Sequence, residues 1–502
     1  MQFWPIALNL RDLEIAMAQP TRIPSQVAPI QFGTDGWRGL IAADFTFERV
    51  AQVAPLAARV LAETYGAENR SKLIIVGYDR RFLSEQFAQR AAEAVVRAGF
   101  DVYLGEGYAP TPAFSWAAKS LGALGAIVIT ASHNPGSYNG LKVKGSFGGS
   151  VSPEVTKQIE ALLKQETAAP DVAPGSLTTF DPWPSYCEVL RSKVDIPRIR
   201  AAIEQGQITV FADVMHGAAA GGLAQLLGVE VTELNSSRDP LFGGGAPEPL
   251  PQYLSGLFRQ MRRFRREHPD KLSVGLVFDG DSDRIAAVNG AGEFLSPQIL
   301  IPVLIDHLAR NRGLTGEIVK TISGSDLIPK VAALHNLPVH ETPIGYKYIA
   351  DRMLTSSVLL GGEESGGIGF GTHIPERDGL LSGLYLLEAM VAGGKDLSDL
   401  YRALQQQAGY TSVYDRIDLP LASMDVRAKL LAQLQTQPPT EIAGRAVADC
   451  LTIDGYKFRL VDGSWLIIRF SGTEPVLRLY SEAATPELVQ QTLRWAKDWA
   501  AR

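Results

Sequence analysis

The amino-acid sequence predicts an α/β protein, with three α/β domains built on mixed, largely parallel sheets and a smaller α+β domain at the C-terminus. A short apolar run, a polar turn and a stretch with helical spacing recur in that order along most of the chain. The length of 502 residues exceeds what one hydrophobic core supports and corresponds to three or four compact units. The last section differs, because it reads as paired strands followed by a closing helix.

The recurring unit is a β-branched strand that ends in a turn containing Gly, Asp or Ser. Continuous apolar runs that alternate with helices are typical of parallel sheets buried on both faces. Ligands of such sheets bind beyond the carboxyl ends of the strands, which is where these turns fall. In chain order the segments are KLIIVGYDRR, GAIVITASHNP, ITVFADVMHG, LSVGLVFDGDSDR, GEIVKTISGSD and SVLLGGEESGG.

The helical intervals and the C-terminal section complete the prediction. Apolar spacing predicts helices over residues 47–62 and 380–392. The basic run RQMRRFRREHPDK has Leu257, Met261 and Phe264 on one helical face, so we interpret its arginines as a solvated side rather than a nucleic-acid patch. GSWLIIRFSGTEPVLRLYSEA is predicted to form paired strands, and TPELVQQTLRWAKDWA the closing helix.

Composition narrows the class of protein. With 46% hydrophobic residues, 20% charged residues and a formal net charge of −6, the chain reads as a globular protein with no general electrostatic reason to bind nucleic acid. Cys187 and Cys450 are far apart and form no CxxC pair, which argues against a disulfide framework or zinc site and fits the cytoplasm. No apolar run is long enough to span a bilayer.

Changes in composition mark the expected domain boundaries. The stretch 164–184 is rich in Ala, Pro and Thr, and further junctions are expected after Asn289 and near Gln407. The first segment lacks a secretory pattern and is interpreted as a loose extension. We therefore expect an N-terminal extension over 1–30 and domains over 31–185, 186–293, 294–407 and 408–502.

The turn DGDSDR places three carboxylates, Asp279, Asp281 and Asp283, at alternate positions. Such closely spaced carboxylates repel one another unless a cation neutralises them, and Mg²⁺ prefers oxygen ligands. A solvated acidic turn is disfavoured because the preceding strand is wholly apolar. An EF-hand does not fit, since Arg284 replaces the turn glycine and Gly290 replaces the bidentate glutamate.

The turn RFSGTEP combines a fixed cation, two hydroxyl groups and a glycine. Arg469, Ser471, Thr473 and the backbone at Gly472 suit a phosphate dianion, and Arg478 can assist. Taken alone, the same turn could be a surface hairpin.

The turn GGEESGGIGF offers Glu363 and Ser365 at a strand end, where an acceptor and a hydroxyl group can bind neighbouring sugar hydroxyls. It lacks the GxGxxG pattern of a dinucleotide site, and a plain turn remains an alternative. Arg38 in GTDGWRG, Lys347 in TPIGYKYI and Arg377 in HIPERDG are each either anion contacts or surface charges.

Ser132 follows the apolar run GAIVI in the segment ITASHNPGSYNGLKVKG. A serine hydroxyl can carry a phosphoryl group where a cation and hydrogen-bond donors stabilise the transferring oxygens. The turns described above could supply both. A helix N-cap is the alternative role, because Asn134 and Pro135 suit a helix start.

Together these turns resemble the alpha-D-phosphohexomutase family of phosphoglucomutases and phosphomannomutases, over nearly the whole chain from about Phe32. TASHNP is similar to the family's phosphoserine loop, DGDSDR to its metal loop, GEESGG to its sugar-specificity loop and RFSGTEP to its phosphate-binding loop. The resemblance implies four domains around a central active-site cleft.

The resemblance also implies the roles of the site residues. Ser132 would be phosphorylated in the active enzyme and would bind Mg²⁺ together with the three aspartates. Phosphate would pass to the substrate, and the resulting sugar 1,6-bisphosphate would turn over in the cleft while a fixed cradle holds its other end. That cradle would comprise Arg469, Ser471, Gly472 and Thr473.

By the same match, Glu363 and Ser365 would hold the sugar 3- and 4-hydroxyls, and Lys142 would be a general acid/base beside His133, Arg38 and Arg284. The neighbouring arginines are expected to lower the pKa of Lys142 enough for it to act as a base. The remaining substrate contacts would be Gly345, Lys347, Arg377 and Arg478.

The expected function is interconversion of glucose 1-phosphate and glucose 6-phosphate, with mannose phosphates as further substrates and glucose 1,6-bisphosphate as the intermediate and activator. Mannose-accepting bacterial members commonly carry His where Gly367 stands, so the EES form looks more like the glucose-preferring members. The alternatives are a glucose 1,6-bisphosphate synthase, a non-catalytic phosphosugar-binding protein and, with least support, a phosphatase that uses Asp279. DGDSDR lacks the threonine of a DxDxT phosphatase turn. The expected partners are small hexose phosphates, without nucleic acid or membrane, for a monomer or homodimer.

Overall fold

The computed structural model describes residues 29–33, 35–69, 71–165, 172–471 and 475–501. It contains four sheets in chain order, three mixed and one antiparallel, and so confirms the predicted fold class. Almost all of the predicted N-terminal extension, and Gly472 and Thr473 of the predicted phosphate loop, lie outside the described residues.

The first sheet has seven strands in the spatial order β1-β2-β6-β5-β3-β4-β7. Its β5-β3-β4-β7 half is parallel, while β1, β2 and β6 pair antiparallel. The strands are β1 (Phe32–Gly33), β2 (Gly36–Leu40), β3 (Leu73–Tyr78), β4 (Asp101–Gly105), β5 (Gly125–Ile129), β6 (Tyr138–Gly145) and β7 (Leu177–Phe180). The helices are Phe47–Asn69, Ser84–Arg97, Thr111–Ser120 and Pro153–Leu163.

The second sheet has five strands in the order β12-β11-β10-β8-β9. Its strands are β8 (Ile208–Asp213), β9 (Thr232–Leu234), β10 (Leu272–Phe278), β11 (Ile285–Val288) and β12 (Phe294–Leu295). The helices are Trp183–Lys193, Ile196–Glu204, Gly222–Leu227 and Ser255–Glu267. The last of these is the arginine-rich helix, and it buries Leu257 and Met261 as predicted.

The third sheet has four strands in the order β14-β13-β15-β16. Its strands are β13 (Glu317–Thr321), β14 (Val339–Thr342), β15 (Val358–Gly362) and β16 (Ile368–Phe370). The helices are Pro297–Asp306, Leu327–Leu334, Tyr346–Thr355, Gly379–Gly393 and Leu397–Ala408.

The fourth sheet has six strands, all antiparallel, in the order β17-β22-β21-β20-β19-β18. Its strands are β17 (Val413–Pro420), β18 (Glu441–Ile442), β19 (Arg445–Leu451), β20 (Tyr456–Leu460), β21 (Trp465–Phe470) and β22 (Val476–Ala483). The helices are Met424–Thr436 and Pro486–Ala500. The predicted pairing of the two strands around RFSGTEP and the closing helix are confirmed.

The three α/β units share a hydrophobic core, and the fourth unit has a separate one. One hydrophobic cluster runs through the three α/β units, from Ile75 and Phe114 to Leu276 and Leu387. The fourth unit has its own cluster around Phe458. The helix Phe47–Asn69 extends past the predicted end at residue 62, and Tyr65 in the added part packs edge-on against the Phe147 ring at 5.8 Å. In the described part of the chain, no helix has the length and hydropathy needed to cross a bilayer.

Candidate active site

Ser132 lies in the loop that follows β5 and is almost completely buried. Its Oγ donates a hydrogen bond to Asp279 Oδ2 at 2.9 Å. Its backbone has φ 52°, in the left-handed region, which costs a non-glycine residue about 1–3 kcal/mol. The surrounding loop must therefore be held in place by other contacts, and its geometry brings the serine to the aspartate turn of the second unit.

The three aspartates follow β10 and are fully buried. One carboxylate oxygen from each aspartate lies within 4.8 Å of the chosen oxygens of the other two. Ser282 between them has φ 61°, so the chain turns tightly at this point. Burial, reinforced by Asp283 and Asp281, raises the pKa of Asp279 well above its usual range.

The donor set fits a hard divalent cation such as Mg²⁺. Oδ1 of Asp281 and Oδ1 of Asp283 are buried and have no hydrogen-bond partner among the described residues. Unpaired buried carboxylate oxygens are costly, so two of them on one turn favour a bound cation that takes oxygen ligands. A cation there would also relieve the repulsion within the turn.

Lys142 on β6 forms ion pairs with two aspartates of this turn. Its Nζ lies 2.8 Å from a carboxylate oxygen of Asp281, of Asp283 and of Asp35. Burial alone would lower the pKa of Lys142, but these carboxylates outweigh burial and raise the pKa above its usual range. The expectation that neighbouring arginines lower this pKa enough for Lys142 to act as a base is therefore wrong, because Arg377 does lower it but the three carboxylates outweigh both Arg377 and burial.

Asp35 is a site residue that the sequence analysis did not predict. It lies in the turn between β1 and β2 and pairs with Lys142, with Lys144 at 3.2 Å and with Arg377 of the third unit. Arg377 also lies 2.8 Å from Asp283. A lone aspartate in GTDGWRG gives no sign of these long-range partners, which come from separate parts of the chain.

Three further groups border the transferring position. Arg38 on β2 donates to Asn134 Oδ1 at 2.5 Å, and Nε of Arg284, without a hydrogen-bond partner in the described structure, lies 3.9 Å from Asp283 Oδ1. His133 Nδ1 lies 3.4 Å from Ser132 Oγ. Burial, together with Arg284 and Arg38, holds the pKa of His133 well below its usual range, so the imidazole is neutral at pH 7.

The third unit supplies a second wall of the site, which carries Glu363. Burial raises the pKa of Glu363 to about 7, although Arg377, at 3.8 Å, opposes the rise. Ser365 and Gly345 face the same cavity. Lys347 does not line it and instead borders a smaller adjoining cavity of about 270 Å³ beside the helix Pro153–Leu163.

The fourth unit supplies the cationic wall. Arg469 and Arg478 are directly opposite each other on β21 and β22, an arrangement that is destabilising without a counter-charge. Arg469 donates to Asp454 at 3.0 Å, whereas Arg478 Nε has no hydrogen-bond partner among the described residues. Ser471 is buried at the end of this wall. Arg416 joins it as a third arginine that the sequence did not single out, because DRID resembles an ordinary exposed strand.

One cavity of about 940 Å³ is shared by these walls. It is lined from the first unit by Arg38 and His133, from the second by Arg284, from the third by Glu363 and Arg377, and from the fourth by Arg416, Arg469 and Arg478. A cavity lined by arginines from all four units together with the carboxylate of Glu363 suits a polyhydroxylated, phosphorylated ligand.

Comparison with known proteins agrees with this geometry. Domain profiles I, II and III of the phosphoglucomutase/phosphomannomutase family, each described as alpha/beta/alpha, match residues 29–170, 184–292 and 296–408. The profile of its C-terminal domain matches residues 426–494.

Relatives match over the whole length. The chain is 30% identical to a "Probable phosphoglucosamine mutase" of Methanothermobacter thermautotrophicus, over 91% of this chain and 95% of that protein. It is 30% identical to a "Phosphoglucomutase/phosphomannomutase" of Thermococcus kodakarensis, over 92% of this chain and 96% of the relative. The crystal structure of a phosphomannomutase homologue from Thermus thermophilus has a TM-score of 0.80 at 33% identity, over 95% of this chain and 100% of the other. The chain therefore belongs to the phosphoglucomutase/phosphomannomutase family of alpha-D-phosphohexomutases, enzymes that transfer phosphate intramolecularly.

Proposed function

We propose that this enzyme interconverts glucose 1-phosphate and glucose 6-phosphate through a phosphorylated Ser132 and a glucose 1,6-bisphosphate intermediate. The observation that supports this assignment is the 2.9 Å contact between Ser132 Oγ and Asp279, beside a cavity lined by all four units. A serine hydroxyl next to a carboxylate turn that fits Mg²⁺ is suited to carry a phosphoryl group.

The transfer step exchanges one phosphorus–oxygen bond for another. The bond between phosphorus and Ser132 Oγ breaks, a bond to the sugar hydroxyl oxygen forms, and the hydroxyl proton leaves. His133, neutral and 3.4 Å from Ser132 Oγ, can accept that proton and return it to the Ser132 oxygen that the transfer releases. Lys142 lies 2.8 Å from Asp281 and from Asp283, so its role in this step would be to hold those two carboxylates in place. Bound to Asp279, Asp281 and Asp283, Mg²⁺ would neutralise charge on the transferring oxygens.

The cationic wall of the fourth unit would hold the end of the sugar phosphate that does not react. Arg469, Arg478 and Ser471 would bind its phosphate, with Gly472 and Thr473 as further expected contacts, and Glu363 and Ser365 would bind the sugar hydroxyls. Because Arg469 and Arg478 line the cavity, and His133, the residue after Ser132, also lines it, a bisphosphate that turns over in the cavity would present either phosphate toward Ser132.

Intact-mass measurement tests the phosphoryl carrier. Incubation with glucose 1,6-bisphosphate and Mg²⁺ should add one phosphate, and fragmentation should place it on Ser132. Ser132→Ala should abolish both this gain and the mutase turnover. Labelling at another residue only, or full turnover of the variant, would overturn the proposal and would equally exclude the bisphosphate synthase alternative.

Glucosamine phosphate is a second candidate substrate, because the Methanothermobacter relative carries the name phosphoglucosamine mutase. Comparing kcat/KM for the 1-phosphates of glucose, mannose and glucosamine decides among them. Glucose 1,6-bisphosphate synthase is the remaining alternative. It predicts that bisphosphate accumulates when another bisphosphorylated sugar is supplied, whereas a mutase accumulates glucose 6-phosphate.

A further inference from the structure

Arg81 is a fully buried cation that does not line the cavity. It follows β3 in the turn DRRF, and none of its side-chain surface is exposed. A buried guanidinium is costly unless its donors are satisfied, so its partners indicate what it does. The structure places those partners in the loop that carries Ser132.

The guanidinium makes four hydrogen bonds to backbone carbonyl groups, three in that loop and one at Tyr138, where β6 begins. Nη2 donates to the carbonyl oxygens of Ser132 and Asn134, each at 2.6 Å. Nη1 donates to those of Pro135 at 3.0 Å and Tyr138 at 3.1 Å. The planar fork of an arginine can hold several carbonyl groups in fixed directions, which the single ammonium of a lysine cannot reproduce.

Asp79 holds the other side of the same loop. Its Oδ2 lies 3.2 Å from Arg81 Nε and accepts a hydrogen bond from Thr130 Oγ1 at 2.6 Å. Thr130 Oγ1 in turn accepts the Ser132 backbone N–H at 2.9 Å. The carbonyl and the amide of Ser132 are thus both tied to one buried ion pair.

We propose that Arg81 is a positioning residue for phosphoryl transfer, which acts with Asp79 by holding the backbone of Ser132 in its left-handed conformation. The proposal rests on Ser132 being the phosphoryl carrier. With φ 52° at Ser132, relaxation of the loop toward ordinary backbone angles would carry Oγ away from Asp279. Arg81 maintains the attack geometry without touching the substrate.

The test compares the full-length enzyme with Arg81→Lys and with Arg80→Lys as the matched control. Arg80 is the neighbouring arginine, but it donates to the carbonyl groups of Gly217 and Ser236 in the second unit and not to the Ser132 loop. The readouts are the rate of Ser132 phosphorylation by glucose 1,6-bisphosphate, kcat and KM for glucose 1-phosphate, and the melting temperature.

Arg81→Lys should slow Ser132 phosphorylation and lower kcat by about 100-fold, the cost of a misplacement on the order of 1 Å. Its KM should stay within about threefold of wild type, because the sugar and phosphate contacts of the other walls are intact. Arg80→Lys should phosphorylate at the wild-type rate. Thr130→Val removes the acceptor of the Ser132 N–H while preserving side-chain shape, and should show the same loss of kcat.

If Arg81→Lys does not fold, Thr130→Val decides the question. Wild-type rates in Thr130→Val, or in a folded Arg81→Lys, would overturn the positioning role. The proposed function would still stand in that case, provided that the wild-type enzyme is phosphorylated on Ser132. Equal loss of rate in Arg80→Lys would also overturn the positioning role. The loss would then come from disturbed contacts between the first and second units and not from the hydrogen bonds of Arg81 to the Ser132 backbone. Failure of the wild-type enzyme to label Ser132 would instead remove the proposed function itself.

Discussion

Glu363→Gln tests whether burial of the ionised Glu363 carboxylate lowers the stability of the folded protein. Glu363 is 5% exposed, and burial raises its pKa from 4.5 to about 7 despite the opposing charge of Arg377. Between these pH values the folded protein keeps a proton that the unfolded chain has lost. Stability contributed by this group is therefore greatest below pH 4.5 and falls as the pH rises toward 7.

The magnitude follows from that interval. A rise from 4.5 to about 7, at about 1.4 kcal/mol per pH unit, corresponds to about 3 kcal/mol of stability lost between pH 4.5 and pH 8. Glutamine has nearly the same shape and does not ionise. The variant should therefore be more stable than wild type by about 3 kcal/mol at pH 8, relative to the difference at pH 4.5.

Hydrogen exchange provides the assay. The opening free energy of peptides covering β15 and the turn after it, residues 358–367, is measured in both proteins at pH 4.5 and pH 8 with intrinsic exchange rates corrected. The comparison at pH 4.5 is the internal control, because glutamine and protonated glutamic acid are both uncharged. A difference between the proteins that does not change with pH would refute the reasoning.

Three other changes test the remaining walls. Asp281→Asn should raise the Mg²⁺ concentration needed for half-maximal activity by at least about tenfold, and an unchanged metal titration after chelation would contradict the metal assignment. Arg478→Ala removes a charge-assisted hydrogen bond worth about 1.5–3 kcal/mol and should raise KM for glucose 1-phosphate by about 10–100-fold, whereas an unchanged KM would place the phosphate elsewhere. Asp454 joins Arg469 to the backbone N–H of Ile344, each at 3.0 Å, so Asp454→Asn should raise KM more than it lowers kcat. A pure loss of kcat would argue against that role.

The fold class could be predicted because its signals are local. Apolar runs such as GAIVI become buried strands, and the arginine-rich helix buries Leu257 and Met261 on one face. The end of the helix Phe47–Asn69 was less predictable, because Tyr65 is held by a contact with Phe147, far away in sequence. Long-range packing of this kind leaves no periodic signal.

The four loops of the candidate site were also visible in the sequence, since strand ends of an α/β sheet carry polar residues for binding. The charge environment of Lys142 was not. Its neighbours in the chain suggested nothing about Asp35, Asp281 and Asp283, and the pKa expected from Arg38 and Arg284 had the wrong direction. Coulomb interactions depend on distance in space, and the position of Lys142 on β6 places its Nζ in direct contact with the three carboxylates.

The sequence by itself determined the alternation of strands and helices, the aspartate turn and the serine turn, because each depends on residues within one short segment. Only the tertiary structure decided that Ser132 meets Asp279, that Arg81 holds the Ser132 backbone, and that Lys142 pairs with carboxylates. Those contacts join residues that are 51 to 147 positions apart, and their geometry exists only once separate units pack around a common cavity.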